Sequence, residues 1–321
     1  MGVILNNLIP IIGSSIAMSI PLVLASVGGA FSVRSGIMAL GLESMMMMGA
    51  FFGVLGSYFT GSVLFGFLLG MVGGMVIGLF HGILSVRYKV NQVISGIGLN
   101  LLALAVTTLL MQLIWSNKGS TPQVASISTT LDFFAPIPVI GPILAQQSVS
   151  FLVMVAVVIV GWIVLFKTRF GLRLRACGEN PQAADSLGIN VYKMRYAGTT
   201  ISGALAGMGG FVYALTTANC ASNGDVAGFG FLALAVMIFG NWKPVNIAAS
   251  SLLFGLFKCI AASYASIDIN GDGVFMLAEI GISAHLYRML PYIVTLLVLA
   301  FTSKSSRAPK AEGIPYDKGQ R

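Results

Sequence analysis

Charged residues are scarce in this 321-residue chain: only 9% are charged, whereas 56% are hydrophobic. A water-soluble domain has about a quarter of its residues charged, so this composition argues against one. The mean hydropathy of +0.91 indicates the lipid bilayer as the solvent. Apolar stretches of about 20 residues, the length that spans a hydrocarbon core, recur from Leu8 to Thr302 with short breaks.

Residues that serve catalysis and metal binding are also few. The two histidines, His81 and His285, belong to no Ser-His or H-E-x-x-H arrangement, which argues against an intramembrane enzyme. The three cysteines form no C-x-x-C pair, so we expect packing residues and not zinc ligands. No G-x-x-x-x-G-K-[ST] loop occurs, so we expect no cofactor on this chain and ATP hydrolysis only by a partner.

The apolar runs predict an all-α fold, a polytopic transmembrane helix bundle over residues 1–302, followed by a cytoplasmic tail at 303–321 that we expect to be disordered. Run 228–240 is too short to cross and is predicted to be re-entrant or broken. Pro10 and Pro21 are candidates for further breaks, so we expect about eight to ten spans. The candidate spans are 8–30, 37–60, 62–86, 92–115, 149–166, 196–217, 228–240, 245–265 and 283–302.

The net charge of +8 does not indicate nucleic-acid binding, because no soluble module with a clustered basic face is present. Lys and Arg concentrate instead in alternate loops, as the positive-inside rule requires. The loop 167–195 and the tail are the most basic of these segments. Both are therefore predicted to lie in the cytoplasm.

Residues 178–190 of this basic loop have the order of a short capped helix. Asn180 can accept at the N-cap, Pro181 has the φ suited to the first helical position, and Gly188 can take the left-handed position after the helix. A helix of about two turns is unstable alone in water and needs a docking surface. A helix at the lipid interface is the alternative, although no Trp or Phe anchor is present. The apolar ridge of the helix consists of Ala183, Ala184 and Leu187.

The same loop resembles the coupling region of ABC importer permeases of the ribose, branched-chain amino acid and nucleoside superfamily. Three further stretches, within 34–45, 230–242 and 307–318, narrow the resemblance to the nucleoside and simple-sugar branch. Together these motifs cover most of the chain. The matching loop residues are Arg169, Phe170, Gly171, Arg175, Ala176, Gly178, Asn180, Ala183, Ala184, Gly188, Ile189 and Asn190.

The resemblance implies a transport subunit in a bacterial plasma membrane, which passes nucleosides by alternating access. It also implies three partners: a cytoplasmic ABC ATPase that binds ATP and Mg²⁺, a second homologous permease, and an extracytoplasmic substrate-binding lipoprotein. A permease for ribose-like sugars or another small polar solute stays open, as does a secondary transporter. Contact with the ATPase is expected at Gly178, Glu179, Asn180, Ala183, Ala184, Asp185, Leu187, Gly188 and Ile189.

Polar side chains within the apolar runs are costly in lipid and are therefore candidates for the solute path. The resemblance places Glu43 in a stretch that lines the substrate region; pairing with Arg34 is the structural alternative. Asn100 lies in the middle of its run, where a hydrogen bond between helices is the alternative. Asn91 and Gln92, at the start of the same run, complete the predicted path residues.

One predicted outer loop matches the calcium-loop pattern D-x-[DN]-x-[DN]-G-x5-E. The ligands would be Asp268, Asn270, Asp272 and Glu279. Because Asn-Gly and Asp-Gly are also ordinary turn dipeptides, a simple turn is the alternative to a calcium site.

Overall fold

The computed structural model describes residues 2–126, 131, 141–264, 283–302 and 308–318. All regular elements in these ranges are helices, which confirms the all-α prediction. Six of them are long and apolar enough to cross a membrane, judged by length and composition. The helices are α1 (Gly2–Arg34), α2 (Leu42–Thr60), α3 (Val63–Val86), α4 (Gln92–Trp115), α5 (Gly141–Ala145), α6 (Val149–Lys167), α7 (Arg169–Glu179), α8 (Pro181–Ser186), α9 (Val191–Thr216), α10 (Phe229–Phe239), α11 (Pro244–Ser263) and α12 (Ala284–Thr302).

Each candidate span coincides with one of these helices, although some bounds differ. The expected breaks at Pro10 and Pro21 are absent, since α1 runs through both prolines. A proline inside a membrane helix is tolerated where neighbouring helices support it. Here α9 packs closely against α1: a Cβ atom on Gly209 would lie 2.9 Å from the carbonyl oxygen of Pro21. The close packing of α9 therefore supports α1 beside Pro21.

Helix α9 lies at the centre of the bundle and packs against α1, α2 and α3. Glycines bring its backbone into direct contact with α3. A Cβ on Gly74 would lie 2.2 Å from the carbonyl oxygen of Gly203, and one on Gly207 would lie 2.3 Å from that of Gly70. Such close approach matters in lipid, where van der Waals packing holds helices together. No larger residue fits at this crossing without a shift of backbone.

Two helices begin inside the bundle and not at its surface. Helix α10 has 11 residues, a length of about 16 Å against a hydrocarbon core of about 30 Å. The first turn of α2 lies beside Asn100, which is about 12 Å along α4 from its first residue. Glycine precedes both helices: Gly41 is the N-cap of α2, and Gly228, with φ +75°, is that of α10. The broken segment predicted at 228–240 is thus present.

The outward faces of α3, α4 and α6 carry exposed apolar side chains, among them Leu64, Leu101 and Val160. A surface of this kind suits contact with lipid. Helices α7 and α8 lie together with residues 308–318 at one end of the bundle, which we name the basic end. The three cysteines are free, and two of them are buried, in agreement with their predicted packing role.

Candidate functional site

Glu43 joins the two helices that begin inside the bundle. It lies in the first turn of α2 and is 5% exposed. Its carboxylate accepts hydrogen bonds from the backbone N–H groups of Gly228 at 2.9 Å, Gly230 at 2.7 Å and Phe231 at 3.2 Å. These donors have no partner within α10, so Glu43 caps that helix from outside, and its negative charge faces the positive end of the helix dipole.

The alternative pairing of Glu43 with Arg34 is not formed. Arg34 instead donates from Nη2 to the carbonyl oxygen of Asn241 at 3.3 Å, and its guanidinium lies 6.0 Å from the ring of Trp242. Arg34 therefore holds the turn between α10 and α11 against the end of α1. The structural partner of Glu43 is a helix terminus and not a cation.

Asn100 provides a comparable cap for α2. Its Oδ1 atom accepts from the N–H of Ser44 at 3.0 Å, and its Nδ2 atom donates to the carbonyl oxygen of Leu40 at 3.3 Å. An amide side chain that satisfies backbone groups of another helix stabilises that contact in lipid. In this structure Asn100 makes the interhelical hydrogen bonds that were the alternative to solute contact.

The segment that leads into α2 is held at Met38 by side chains of α3 and α4. Gln92 Oε1 accepts from the N–H of Met38 at 2.8 Å. The buried His81 lies 3.0 Å from the carbonyl oxygen of Met38 and 3.0 Å from the Ser95 hydroxyl. Asn91, by contrast, is exposed and caps α4 through two backbone N–H groups of its first turn. The structure thus groups Glu43, Gln92 and Asn100 around the start of α2 and leaves Asn91 at the surface.

Helix α8 has the predicted caps. Oδ1 of Asn180 accepts from the N–H of Ala183 at 3.0 Å, and Pro181 is the first helical residue. Gly188 has φ +78°. Two crossing backbone hydrogen bonds, of 2.9 and 3.0 Å, complete a Schellman motif there. The local rules that predicted this helix therefore describe it correctly.

The predicted apolar ridge of α8 is only partly exposed. Ala184 is 2% exposed, because it faces inward, whereas Leu187 is 81% exposed and Ala183 is also exposed. Gly178 is buried as well: a Cβ there would lie 2.4 Å from the carbonyl oxygen of Arg34. Ala184 and Gly178 are thus unavailable to a partner in this structure. The other predicted contact residues, which are exposed or half-buried, are Glu179, Asn180, Asp185, Gly188 and Ile189.

The expectation that the tail is disordered is wrong for residues 308–318. Tyr316 is buried against Cys177, Ala184 and Val191, and its ring centroid lies 5.3 Å from that of Tyr192. Burial also raises the pKa of the Cys177 thiol to about 11, so this thiol stays protonated and packs as an apolar group. The segment 308–318 acts as a strap over the inner face of α8, and we call it the C-terminal strap.

Hydrogen bonds and ion pairs fix the C-terminal strap to α7, α8, α9 and the turn between α3 and α4. The N–H of Ala311 donates to the carbonyl oxygen of Gly178 at 2.9 Å. The buried Arg195 donates from Nη1 to the carbonyl oxygen of Ile314 at 3.0 Å. Two ion pairs lie at the end of the strap, Lys318 with Asp185 and Lys89 with Asp317. The strap therefore connects α8 to α9 and to the turn between α3 and α4.

Glu312, within the C-terminal strap, has a carboxyl group whose pKa is shifted by its environment. Burial raises the pKa of its carboxyl group to about 7, because the ionised form loses solvation. The protonated form is therefore favoured where the strap is docked. Docking is strongest below the ordinary pKa of a glutamate and weakens as the pH rises through about 7.

The proposed calcium ligands Asp268, Asn270, Asp272 and Glu279 lie outside the described residues, so the calcium hypothesis stays a prediction. Within the described ranges, no group of three or more His, Cys, Asp or Glu side chains is placed to hold a metal ion.

The apolar exterior and the six helices long and apolar enough to cross a bilayer are typical of a multi-pass membrane protein. The chain belongs to the family described as the branched-chain amino acid transport system permease component, whose model matches residues 11–299. Members of this family are transport subunits and not enzymes, which confirms the prediction. No solved structure matches the chain.

Individual relatives cover nearly the whole chain. It is 39% identical to the nucleoside ABC transporter permease protein NupC of Lactococcus lactis, over 99% of each chain. It is 37% identical to the guanosine ABC transporter permease protein NupQ of Bacillus subtilis, over 97% of each. Identity to the putative glucose ABC transporter permease protein TsgC13 of Haloferax volcanii is 30%, over 87% of each.

Sequence reasoning missed the residues that support the site through contacts with parts of the chain distant in sequence. The buried His81 and Arg195 and the strap residue Tyr316 were not identified as site residues. One signal was available, since His81 lies inside an apolar run and needs a partner there, whereas the burial of Arg195 is known only from the structure. The identity of those partners is a property of the fold.

Proposed function

We propose that this chain is the permease subunit of an ABC importer for nucleosides and forms the translocation path by alternating access. The likeness over nearly full length to two permeases named for nucleosides supports the solute class. The coupling mechanism is inferred from the geometry of α8, a capped helix at the basic end in which Leu187 is exposed and the opposite face is buried. This geometry suits a helix that a partner grips.

In this proposal, movement of α8 reaches the centre of the bundle by a short route. Helix α8 is linked to α6 through α7, with single extended residues, Thr168 and Asn180, between the helices, and the turn 187–190 connects it to α9. Asn190 caps α9 by accepting from the N–H of Lys193 at 3.0 Å, so the connection is stiff. Because α9 contacts α1, α2 and α3 backbone to backbone, its displacement alters how these helices pack.

The other subunits of the importer are proposed to be separate chains. A cytoplasmic ATPase binds ATP and Mg²⁺ and contacts α8, a second homologous permease completes the path, and an extracytoplasmic lipoprotein delivers the nucleoside. The basic end and the C-terminal strap then face the cytoplasm. A simple sugar is the second candidate solute, because one relative is described as a putative glucose permease.

Uptake by cells that express the complete complex tests this function. Radiolabelled nucleoside should accumulate against its gradient, and deletion of this chain or loss of the partner's ATPase activity should abolish accumulation. Accumulation of ribose or glucose but not of nucleosides would transfer the function to the sugar candidate. Accumulation that does not depend on the ATPase would contradict the ABC mechanism.

A Trp substitution tests the proposed role of α8. Ala183→Trp adds a bulky side chain to the exposed face of α8 and should lower uptake at least about tenfold by blocking the partner. Leu101→Trp, on the lipid-facing surface, is the matched control and should transport normally. Normal uptake by a folded Ala183→Trp complex would contradict the coupling assignment.

A further inference from the structure

A cavity of about 360 Å³ lies at the end of the bundle opposite α8. This volume falls within the range of roughly 300–1,000 Å³ typical of small-molecule sites. Thr217, which follows the last residue of α9, and Lys258, near the end of α11, line it and place it at that end. Three aromatic side chains form much of the remaining wall: Tyr213, Phe229 and Tyr292. The cavity therefore combines rings, hydroxyl groups and one cation.

Lys258 is the charged residue of this cavity, and ring faces hold its ammonium group. Nζ lies 4.6 Å from the ring centroid of Phe229 and 5.5 Å from that of Tyr292. The ion pairs of the described residues are Lys89 with Asp317 and Lys318 with Asp185. None of the described carboxylates therefore lies within ion-pair distance of Lys258. Cation–π contact stabilises the charge but uses none of its three N–H donors. Since the hydrogen bonds of the described residues include none from Lys258, these donors can serve a ligand with acceptor atoms.

The walls of the cavity favour a flat aromatic ligand over a simple sugar. The rings of Tyr213 and Phe229 lie 4.8 Å apart at an angle of 58°, and that of Tyr292 faces the same space. Among the described residues that line the cavity, none has a carboxylate or carboxamide side chain. The hydroxyl donors of a sugar would therefore meet few acceptors, and an unmatched polar group is costly. A nucleobase presents acceptor oxygens and nitrogens at its edge and a face that stacks on aromatic rings.

We propose that this cavity binds the base of a nucleoside, with the Lys258 ammonium donating to carbonyl or ring-nitrogen acceptors and the exposed part of the Tyr292 ring packing against the base. The proposal rests on the proposed function and assigns the base of the nucleoside to a particular cavity. Phe229 is also the first residue of α10, directly beside the N–H groups that Glu43 caps. A base in the cavity thus contacts the junction where α2 and α10 begin.

The first experiment detects the ligand directly on the wild-type protein. Inosine is added to the purified permease–ATPase complex without its lipoprotein, and saturation-transfer NMR compares the base protons with the ribose protons. The base protons should receive the larger transfer, because the base is enclosed by the cavity. Equal or greater transfer to the ribose protons would overturn the proposal without the use of any variant.

The second experiment uses Lys258→Met, which keeps the length of the side chain and removes its charge and donors. In cells, this variant should raise KM for inosine uptake about tenfold or more, the loss expected for one charge-assisted hydrogen bond. Lys258→Arg should restore much of the affinity. Lys118→Met removes an exposed charge outside the cavity and should leave KM unchanged. Co-purification of the ATPase verifies that each variant assembles.

The outcomes separate this site from the proposed function. If the wild-type complex accumulates no nucleoside, the proposed function fails. If the wild type accumulates inosine but Lys258→Met has the same KM and the same saturation-transfer pattern, the site is overturned and the function stands. If Lys258→Met does not assemble, the wild-type saturation-transfer pattern decides on its own.

Discussion

Replacement of Glu43 by glutamine tests whether the carboxylate stabilises the junction of α2 and α10. The Oε2 atom accepts two hydrogen bonds, from Gly230 and Phe231, and Oε1 accepts one, from Gly228. With its oxygen in the Oε2 position, glutamine keeps two bonds and turns an NH₂ group toward the N–H of Gly228. The substitution thus removes one charge-assisted hydrogen bond and the charge that faces the helix terminus.

The expected loss follows from these contacts. A hydrogen bond to a charged group contributes about 1.5–3 kcal/mol, and a charge at a helix terminus about 0.3–2 kcal/mol. Glu43→Gln should therefore lower the free energy of unfolding by about 2–4 kcal/mol. Glu43→Ala leaves three N–H donors unpaired, two of them partly buried, at about 1–3 kcal/mol each, and should therefore cost more than Glu43→Gln, about 4 kcal/mol or more. Asp225→Asn, an exposed carboxylate in the preceding loop, is the control and should change little.

SDS titration of the purified protein, followed by circular dichroism, measures these differences, and uptake is measured in parallel. Equal stability of wild type and Glu43→Gln would refute the argument that the carboxylate holds α10. Loss of uptake with unchanged stability would assign Glu43 to the solute path instead. A stability order of Asp225→Asn above Glu43→Gln above Glu43→Ala is the result that supports the cap.

Three further predictions concern packing, pH and coupling. Gly207→Val forces α9 away from α3 and should abolish a monodisperse peak in size-exclusion chromatography, whereas Gly98→Val, at a position with open space around it, should be tolerated. Because the pKa of Glu312 is raised to about 7, the protection factors of the C-terminal strap, which are exchange rates corrected for the intrinsic pH dependence of amide exchange, should be higher at pH 5 than at pH 8. Glu312→Gln should remove this difference in protection, and a difference that persists in the variant would show another cause. Asn180→Ala removes the cap of α8, at a cost of about 1 kcal/mol, and should reduce nucleoside-stimulated ATPase activity, while Asn180→Asp should keep it. Full stimulation in Asn180→Ala would mean that the order of α8 does not matter for coupling.

The conformational preferences of single residues account for the parts of the structure that could be predicted from the sequence. The caps of α8 follow from Asn180, Pro181 and Gly188, whose preferences act within a few residues and need no other part of the chain. The same rules could not predict that Ala184 faces inward, because its neighbour Tyr316 belongs to a segment far along the chain. The tail was misjudged for that reason: its composition resembles a disordered segment, and its order depends on a surface built by other helices.

The candidate path residues show the same division. Their presence in apolar runs indicated that each needs a polar partner, because an unpaired polar group is costly in lipid. Glu43 and Asn100 do have partners, yet these are backbone groups at helix starts and not the cation or solute that sequence reasoning weighed. Nothing within a few residues of Glu43 identifies the start of α10 as its neighbour.

The sequence by itself determined the solvent, the helical class, the approximate spans and the capped helix of the basic loop. Capping acts within one helical turn, and hydrophobicity acts within one span, so both can be read from neighbouring residues. Only the tertiary structure decided that α2 and α10 begin inside the bundle around Glu43, that α1 continues through its prolines, and that the C-terminal strap covers α8. The physical reason is that these features depend on contacts between residues distant in the chain, where packing and the pairing of buried polar groups outweigh local preference.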